Sequence, residues 1–437
     1  MQPRSHRRRP FTWLYIAVGS LLLLSGLGYA ALRGKVPAKV VNRVAGLFVQ
    51  RQAGAVPWQP AQPVPGGSEQ PVNVLILGLQ LGGASTNPLT DAMLVASYDP
   101  RRESVSLLSI PRDLWVAIPG HGEGRINEAF QDAGPAGAML TVQQVLGIPL
   151  NYYALVDYTA FERLIDDVGG VTVDVPYTLN DPTFPAPDEV HYEPFHITRG
   201  VHRLNGHEAL RYARERHADP QGDIGRAQRQ QQVLVALRSE LLKPGNLFRI
   251  NMVLRDMAAM VHTDFPLDQA PGLALQAVNA TAVRQEVLGY QNKAVTDYTT
   301  GGGAEVLLPD KAVVQGIVRE LFADTLSYLQ AGAGVRVDNG SGFPSAATEY
   351  TRLLAAMGAS VLPPGKATGV YSSARVQAYT RDPARLDEAR LLAGMLGTSL
   401  ELVDGPESAD VVVTLGRDYP AYAPWTEADW VHLLGQR

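Results

Sequence analysis

The stretch VNVLILGL, Val72 to Leu79, is a nearly unbroken apolar run of strand length followed by glycines. A strand with one face in water alternates apolar and polar residues; one without alternation has to be covered on both faces. Later segments support such a covered sheet. AMLVASYD and SVSLLSI read as two more strands, with Pro100 to Glu103 as the turn between them. Pro135 to Leu146 is helical in character, YYALVDY strand-like, Thr159 to Asp167 helical, and GGVTVDVP a further strand. Leu179 to Pro194, polar and rich in proline, reads as a surface loop, and a helical portion follows to about Ala323. Strands interleaved with helices predict an α/β layered domain with a largely buried sheet over residues 72–325.

A second, smaller α/β domain is expected over residues 334–420. GVRVDNGSGF is strand then turn, SAATEYTRLLAAMG a helix, RVQAYT a strand, ARLDEARLLAGMLG a helix and ADVVVTLG a final strand. DNGSG reads either as a sugar-binding loop or as a tight turn.

Ahead of both domains, Phe11 to Leu32 contains no charge and is long enough to cross a bilayer as a helix. It exceeds the apolar core of most cleaved signal peptides, although GYA and AAL imitate a cleavage site. Arg4, Arg7, Arg8 and Arg9 precede the span, and Arg33, Lys35, Lys39 and Arg43 follow it, so charge alone leaves the orientation nearly tied. The layout expected is a cytoplasmic tail (residues 1–10), a transmembrane signal anchor (11–32), and a juxtamembrane segment with a proline-rich linker (33–71). The globular part then lies outside the cell membrane.

HEALRYARERHADPQGDIGRAQRQQQ, His207 to Gln232, concentrates Arg211, Arg214, Arg216, Arg226 and Arg229 in a chain of net charge −5. An acidic balance without interleaved aromatic and basic residues argues against nucleic acid as the partner. If the second half is helical, Asp223, Arg226 and Gln230 form one polar stripe. Two readings stand here: a solvated face with internal Glu–Arg pairs, or an anion site. Arg112 and Asp113 emerge just past the carboxyl end of SVSLLSI, where open α/β sheets bind ligands, and a guanidinium there suits phosphate or carboxylate. The alternative is a turn arginine paired with Asp113. Asp91, immediately before a strand, is a metal ligand or a turn residue. With no cysteine, thiolate chemistry and disulfides are excluded. LGLQLGGASTN lacks the Gly-Lys-Ser/Thr of a P-loop, and neither HExxH nor a serine elbow occurs.

Together, in this order, TDAMLVASYDP, SVSLLSIPRDLWV, GRINEAF, DDVGGVTVDVP, YARERH and GDIGRAQRQ closely resemble the LytR-CpsA-Psr family of bacterial cell-envelope proteins. The second unit looks like the LytR-type domain that accompanies some members. The resemblance implies a layered α-β-α domain with a mixed central sheet, and a signal-anchored phosphotransferase. It would move a glycopolymer from a polyprenyl-diphosphate carrier to peptidoglycan or another envelope acceptor and release polyprenyl phosphate. It further implies that Arg112, Arg214, Arg216 and Arg226 bind the diphosphate and that Asp223 orients them or accepts the acceptor's proton. Gln230 would add a polar contact, and Asp91 would hold Mg²⁺ or Mn²⁺. One departure matters: Gln80 stands where the family commonly has a second aspartate, and Leu89 where arginine is frequent. An amide ligates Mg²⁺ without contributing charge, so weaker metal affinity is expected. The rival is a non-catalytic scaffold that binds the polyprenyl diphosphate and its glycan.

Overall fold

The computed structural model describes residues 71–79, 89–186, 191–243, 246, 261–266, 269–322, 332–396, 398–405 and 407–419. The apolar span Phe11–Leu32, its flanks and Gln80 lie outside the described residues. Among the described residues no helix is long and apolar enough to cross a membrane.

Strand β1 (Val72–Leu79) is at the centre of a six-stranded sheet. It pairs antiparallel with β2 (Ala92–Asp99) and parallel with β6 (Tyr152–Asp157). β3 (Ser104–Ile110) continues antiparallel from β2, and β12 (Ala282–Val287) lies parallel beside β3 at one edge. β11 (Val261–Thr263) closes the other edge, antiparallel to β6. The mixed central sheet agrees with the sequence expectation. The uniform burial expected of β1 is met on one face only. Leu75, Leu77 and Leu79 are fully buried, whereas Val72, Val74, Ile76 and Gly78 are half-buried. Register places Ile76 between Leu94 of β2 and Ala154 of β6, and Gly78 between Ala92 and Val156. The second face is therefore apolar yet incompletely covered.

On the packed face, α1 (Glu128–Leu146) and α6 (Lys311–Leu321) supply Met139, Val142, Leu146, Val314 and Val318 to the core. The helix expected from Pro135 exists, and a further turn precedes it. The two are separated by non-helical Ala133 and Gly134, the latter at φ +63°. Proline fits there because its missing N–H falls where a helix start has no partner anyway.

The region expected to be mainly helical up to Ala323 holds more strand than that. GGVTVDVP is a strand as expected, β7 (Val171–Val175), paired with β10 (Gly200–Leu204), while β8 (Leu179–Asp181) and β9 (Phe195–Ile197) form a second ribbon that begins inside the segment expected to be a surface loop. Together with α2 (Tyr158–Asp167), α3 (Gly206–Arg214) and α4 (Gly222–Leu241) they enclose a second core around Ile165, Phe184, Phe195, Tyr212 and Val233. The helix α5 (Ala270–Val278) precedes β12, and β13 (Val295–Thr299) and β14 (Glu305–Pro309) form a hairpin before α6. β4 (Trp115–Ile118) and β5 (Gly122–Arg125) make one more ribbon.

The C-terminal unit is a five-stranded sheet in the order β16-β15-β19-β17-β18. Its strands are β15 (Val335–Asn339), β16 (Gly365–Lys366), β17 (Arg375–Ala378), β18 (Leu400–Leu402) and β19 (Val411–Leu415), accompanied by α7 (Ala346–Ala356) and α8 (Pro383–Met395). The expected strand–helix–strand–helix–strand order is present, with the short edge strands β16 and β18 added. DNGSG is a tight turn. Asn339 donates to the Phe343 carbonyl at 2.6 Å and accepts from the Ser341 amide at 3.2 Å, so its polar groups are used within the loop. Leu140 of α1 is buried in the core of this unit, which joins it to the first domain.

Candidate functional site

β1, β3, β6 and β12 run in the same direction, so their carboxyl ends share one edge of the sheet. Asp91 reaches that edge from the start of antiparallel β2, its amide donating to the Gly78 carbonyl at 2.9 Å. Arg112 follows β3 after Pro111, and Tyr158 follows β6. The Arg112 Nη1 donates to Asp91 Oδ1 at 2.6 Å, and the Tyr158 hydroxyl donates to Asp91 Oδ2 at 2.5 Å. Both oxygens of Asp91 therefore have donors.

The arginine-rich stretch folds back onto this edge. Asn205 caps α3 through a reciprocal pair with Glu208, and the helix ends at Arg214. Gly222, at φ +55°, opens α4 and places Asp223 in its first turn, where the helix dipole favours a carboxylate. Asp223 lies 3.1 Å from Arg226, 3.5 Å from Arg112 and 3.8 Å from Arg216. Arg214 stacks on the Tyr158 ring, 4.5 Å from its centroid, a cation–π contact. Asp91, Arg112, Arg214, Arg216, Asp223 and Arg226 thus come together at this edge. Gln230 lies further along the α4 stripe and donates to the Ala213 carbonyl at 3.3 Å, tying α4 to α3.

The other two arginines of the stretch are structural. Arg211 lies against the paired rings of Phe184 and Phe195, 5.4 and 5.2 Å from their centroids, and donates to the Glu193 carbonyl at 2.9 Å. Arg229, buried, pairs with Asp219 and donates to the carbonyls of Tyr212 and Glu215. It holds the end of α3 and the turn after it, and so positions Arg214 and Arg216. Gly225 makes this possible: a Cβ there would come within 2.1 Å of the Asp219 carboxylate.

Sequence reasoning did not assign Tyr158, Asp113 or Arg125 to the site. Asp113 lies 3.6 Å from Arg112 and 3.3 Å from Arg125. Tyr158 and Arg112 share a signal that could have found Tyr158, since each follows the carboxyl end of a central strand.

The cluster's electrostatics follow from its crowding. Burial alone would lower the Arg112 pKa, but Asp223, Asp91 and Asp113 outweigh it and raise the value. Arg226, only 7% exposed at its side chain, shifts the other way, because burial and its arginine neighbours prevail over Asp223 and Asp91. Burial raises Asp113, as does its hydrogen bond with Asp223. Asp223 is held below the usual carboxylate range: burial opposes this, but Arg226, the Asp113 bond, Arg112 and Arg216 overcome it. Burial and the Asp91 charge raise the Tyr158 hydroxyl. Nε of Arg112 and Oδ1 of Asp223 are buried without a well-directed hydrogen bond among the described residues. Buried atoms left in that condition suit a ligand: the Arg112 N–H an incoming oxygen, the Asp223 carboxylate an incoming hydroxyl donor.

The residues fit a divalent cation poorly. Asp91 is the one carboxylate expected to ligate it, and its oxygens are held by Arg112 and Tyr158. Among the described residues no group of three His, Cys, Asp or Glu side chains could hold a metal ion.

The chain is thus a mixed α/β protein with guanidiniums gathered around three carboxylates, Asp91, Asp113 and Asp223, at the carboxyl edge of its sheet, where such folds commonly place a ligand site. The sequence model of the LytR_cpsA_psr family matches residues 50–314. The chain belongs to that family. A second family model, LytR cell envelope-related transcriptional attenuator, matches residues 333–419. Among similar proteins, the polyisoprenyl-teichoic acid–peptidoglycan teichoic acid transferase TagV of Bacillus subtilis is 32% identical over 214 residues, 48% of this chain and 53% of TagV. The regulatory protein MsrR of Staphylococcus aureus is 35% identical over 199 residues, 45% of this chain and 57% of MsrR. The chain thus spans little more than half the length of these curated relatives. The crystal structure of B. subtilis TagV, 27% identical, superposes with a TM-score of 0.50 over 59% of this chain and 98% of that one.

Proposed function

We propose that this chain is a membrane-anchored phosphotransferase of the cell envelope. It moves a glycopolymer from a polyprenyl-diphosphate carrier to a hydroxyl of peptidoglycan or another envelope acceptor. The observation that carries this reading is the convergence of Arg112, Arg214, Arg216 and Arg226 around Asp223 and Asp91. In phosphoryl transfer the protein has little covalent work to do. It positions the reactants and neutralises charge on the phosphate oxygens.

In this reading the guanidiniums clamp the diphosphate. The acceptor oxygen bonds to the sugar-side phosphorus, the bridging P–O bond breaks, and polyprenyl phosphate leaves with the electron pair. Asp223, ionised under ordinary conditions, takes the acceptor's proton. Gln230 adds a polar contact at the edge of the clamp. The half-covered sheet face around Val74, Ile76, Ala154 and Val156 suits the apolar tail. The names of TagV and of the Enterococcus faecalis relative TagU, 31% identical over 225 residues and 71% of its length, support a teichoic-acid-like cargo. The globular domains stand outside the cell membrane, held by Phe11–Leu32.

The poor fit to a cation, with Gln80 where an acid is expected, favours a second reading: a scaffold that binds the polyprenyl diphosphate and its glycan without turnover. Incubating the full-length protein in detergent with a glycan-bearing polyprenyl diphosphate and a peptidoglycan acceptor separates the two. Release of polyprenyl phosphate, lost in Arg214→Ala, supports the transferase. Binding without release supports the scaffold.

A further inference from the structure

On the flank of α4 away from the cluster, a recess of ≈ 600 Å³ opens between the helix, β12 and the loop that follows β12. Asp223 and Arg226 face the cluster, while Ile224, Gly225 and Gln228, from the same turns, line the recess. The carboxyl end of β12 lies at the same sheet edge as the clamp, and Gln291 of its loop donates to Gln221, just before α4, at 3.1 Å. The recess and the clamp are therefore joined around the N-terminus of one helix.

Its lining has a distinct chemistry. Gln228, Gln285 and Asp174 make no side-chain hydrogen bond among the described residues, and the Glu286 carboxylate meets only Asn292, at 3.4 Å. Each free amide offers two N–H donors and a carbonyl acceptor, and each carboxylate accepts. Tyr177 adds an aromatic ring to the lining, held by a 2.8 Å bond from its hydroxyl to Asp219. Asp174 and Glu286 repel a phosphate, and unspent amides do not favour an alkyl chain. A neutral ligand rich in hydroxyls, with one face to lay on an aromatic ring, satisfies all of these groups.

We infer that the recess is a saccharide subsite, holding a neutral sugar unit of a chain whose reacting end lies in the arginine cluster. The inference rests on the transferase reading only for what that sugar belongs to, either the acceptor glycan or the carried glycopolymer. Gln228 and Gln285 hydrogen-bond its hydroxyls, and Tyr177 supports its ring.

The test uses the full-length protein and a Gln228→Ala/Gln285→Ala variant. One arm measures binding of a β-1,4-linked N-acetylglucosamine tetrasaccharide by saturation-transfer NMR. The other compares affinity for a polyprenyl diphosphate carrying a disaccharide with that for the sugar-free carrier. Losing both amides should weaken saccharide binding roughly tenfold, the effect of one or two hydrogen bonds, and leave sugar-free carrier affinity unchanged. Weakening in the first arm assigns the recess to the acceptor; weakening in the second assigns it to the carried glycan. Variant and wild type behaving alike in both arms overturns the inference, as does an equal loss of sugar-free carrier binding. A protein that binds sugar in this way yet releases no polyprenyl phosphate keeps the subsite and loses only the transferase reading.

Discussion

Asp223 both organises the arginines and competes with the ligand they are proposed to hold, so Asp223→Asn separates the two effects. With Arg226 at 3.1 Å and Arg112 at 3.5 Å, each attraction is about 5 kcal/mol at an effective dielectric near 20, before desolvation is subtracted. Removing the carboxylate should therefore destabilise the ligand-free protein, by about 3 kcal/mol, the low end for breaking a buried pair, because Asp91 and Asp113 remain. Diphosphate binding should improve by roughly tenfold, since at least one charge-assisted contact, about 1.5 kcal/mol, no longer has to be withdrawn from Asp223. Turnover should fall by about 10² to 10⁴, the usual contribution of a positioned base. Asp223 is held below the ordinary carboxylate range, so it stays ionised down through pH 5. The loss should consequently be uniform between pH 5 and 8 and add no new limb to the rate profile. Titration calorimetry with a short-chain polyprenyl diphosphate, denaturant unfolding and polyprenyl phosphate release measure the three quantities. If Asp223→Asn binds diphosphate less well than wild type, or turns over at the wild-type rate, the proposed role of Asp223 is wrong.

Arg214→Ala should abolish release of polyprenyl phosphate with little loss of stability, because its principal contact is the ring of Tyr158; a substantial loss of folded protein would reassign it as structural. Gln80→Asp should lower the Mg²⁺ concentration needed for half-maximal release, and an unchanged metal titration would show that position 80 is not a ligand. In the C-terminal unit, burial pushes Glu388 up to about 7 against an ordinary 4.5, with the Ala333 amide donating to it. The raised value means that stability is fully present below pH 4.5 and is lost as pH rises through 7, by about 3 kcal/mol. Glu388→Gln should flatten that decline in unfolding experiments at pH 5 and 8, whereas the same decline in both proteins would exclude Glu388 as its source.

The apolar strands of the central sheet were legible because burial leaves a composition that no other element shares. β12 was not: AVRQEV carries charged and amide residues because it is an edge strand, partnered on one side and bordering a polar recess. β8 to β10 are too short for periodicity to declare them. Arg112, Arg214, Arg216, Asp223, Arg226 and Asp91 could be nominated because motif order supplied what local chemistry could not. That order did not reveal how Arg211 and Arg229 differ from their neighbours. One packs against a pair of aromatic rings and the other is anchored to backbone carbonyls, and both fates depend on residues distant in sequence.

Helix α1 serves two cores at once. Met139, Val142 and Leu146 face the central sheet, while Leu140 sits among Tyr350, Met395 and Tyr419 of the C-terminal unit, beside a void of only ≈ 20 Å³. Cutting the chain at Gly334 would therefore leave Leu140 and its neighbours wet, and loss of activity in such a truncation would report damaged solubility as readily as a missing partner. The evolutionary counterpart is sharper. A lineage that discards this unit has to recolour the outer face of α1 with polar side chains, so residue 140 should record, in any relative, whether the second domain is still attached.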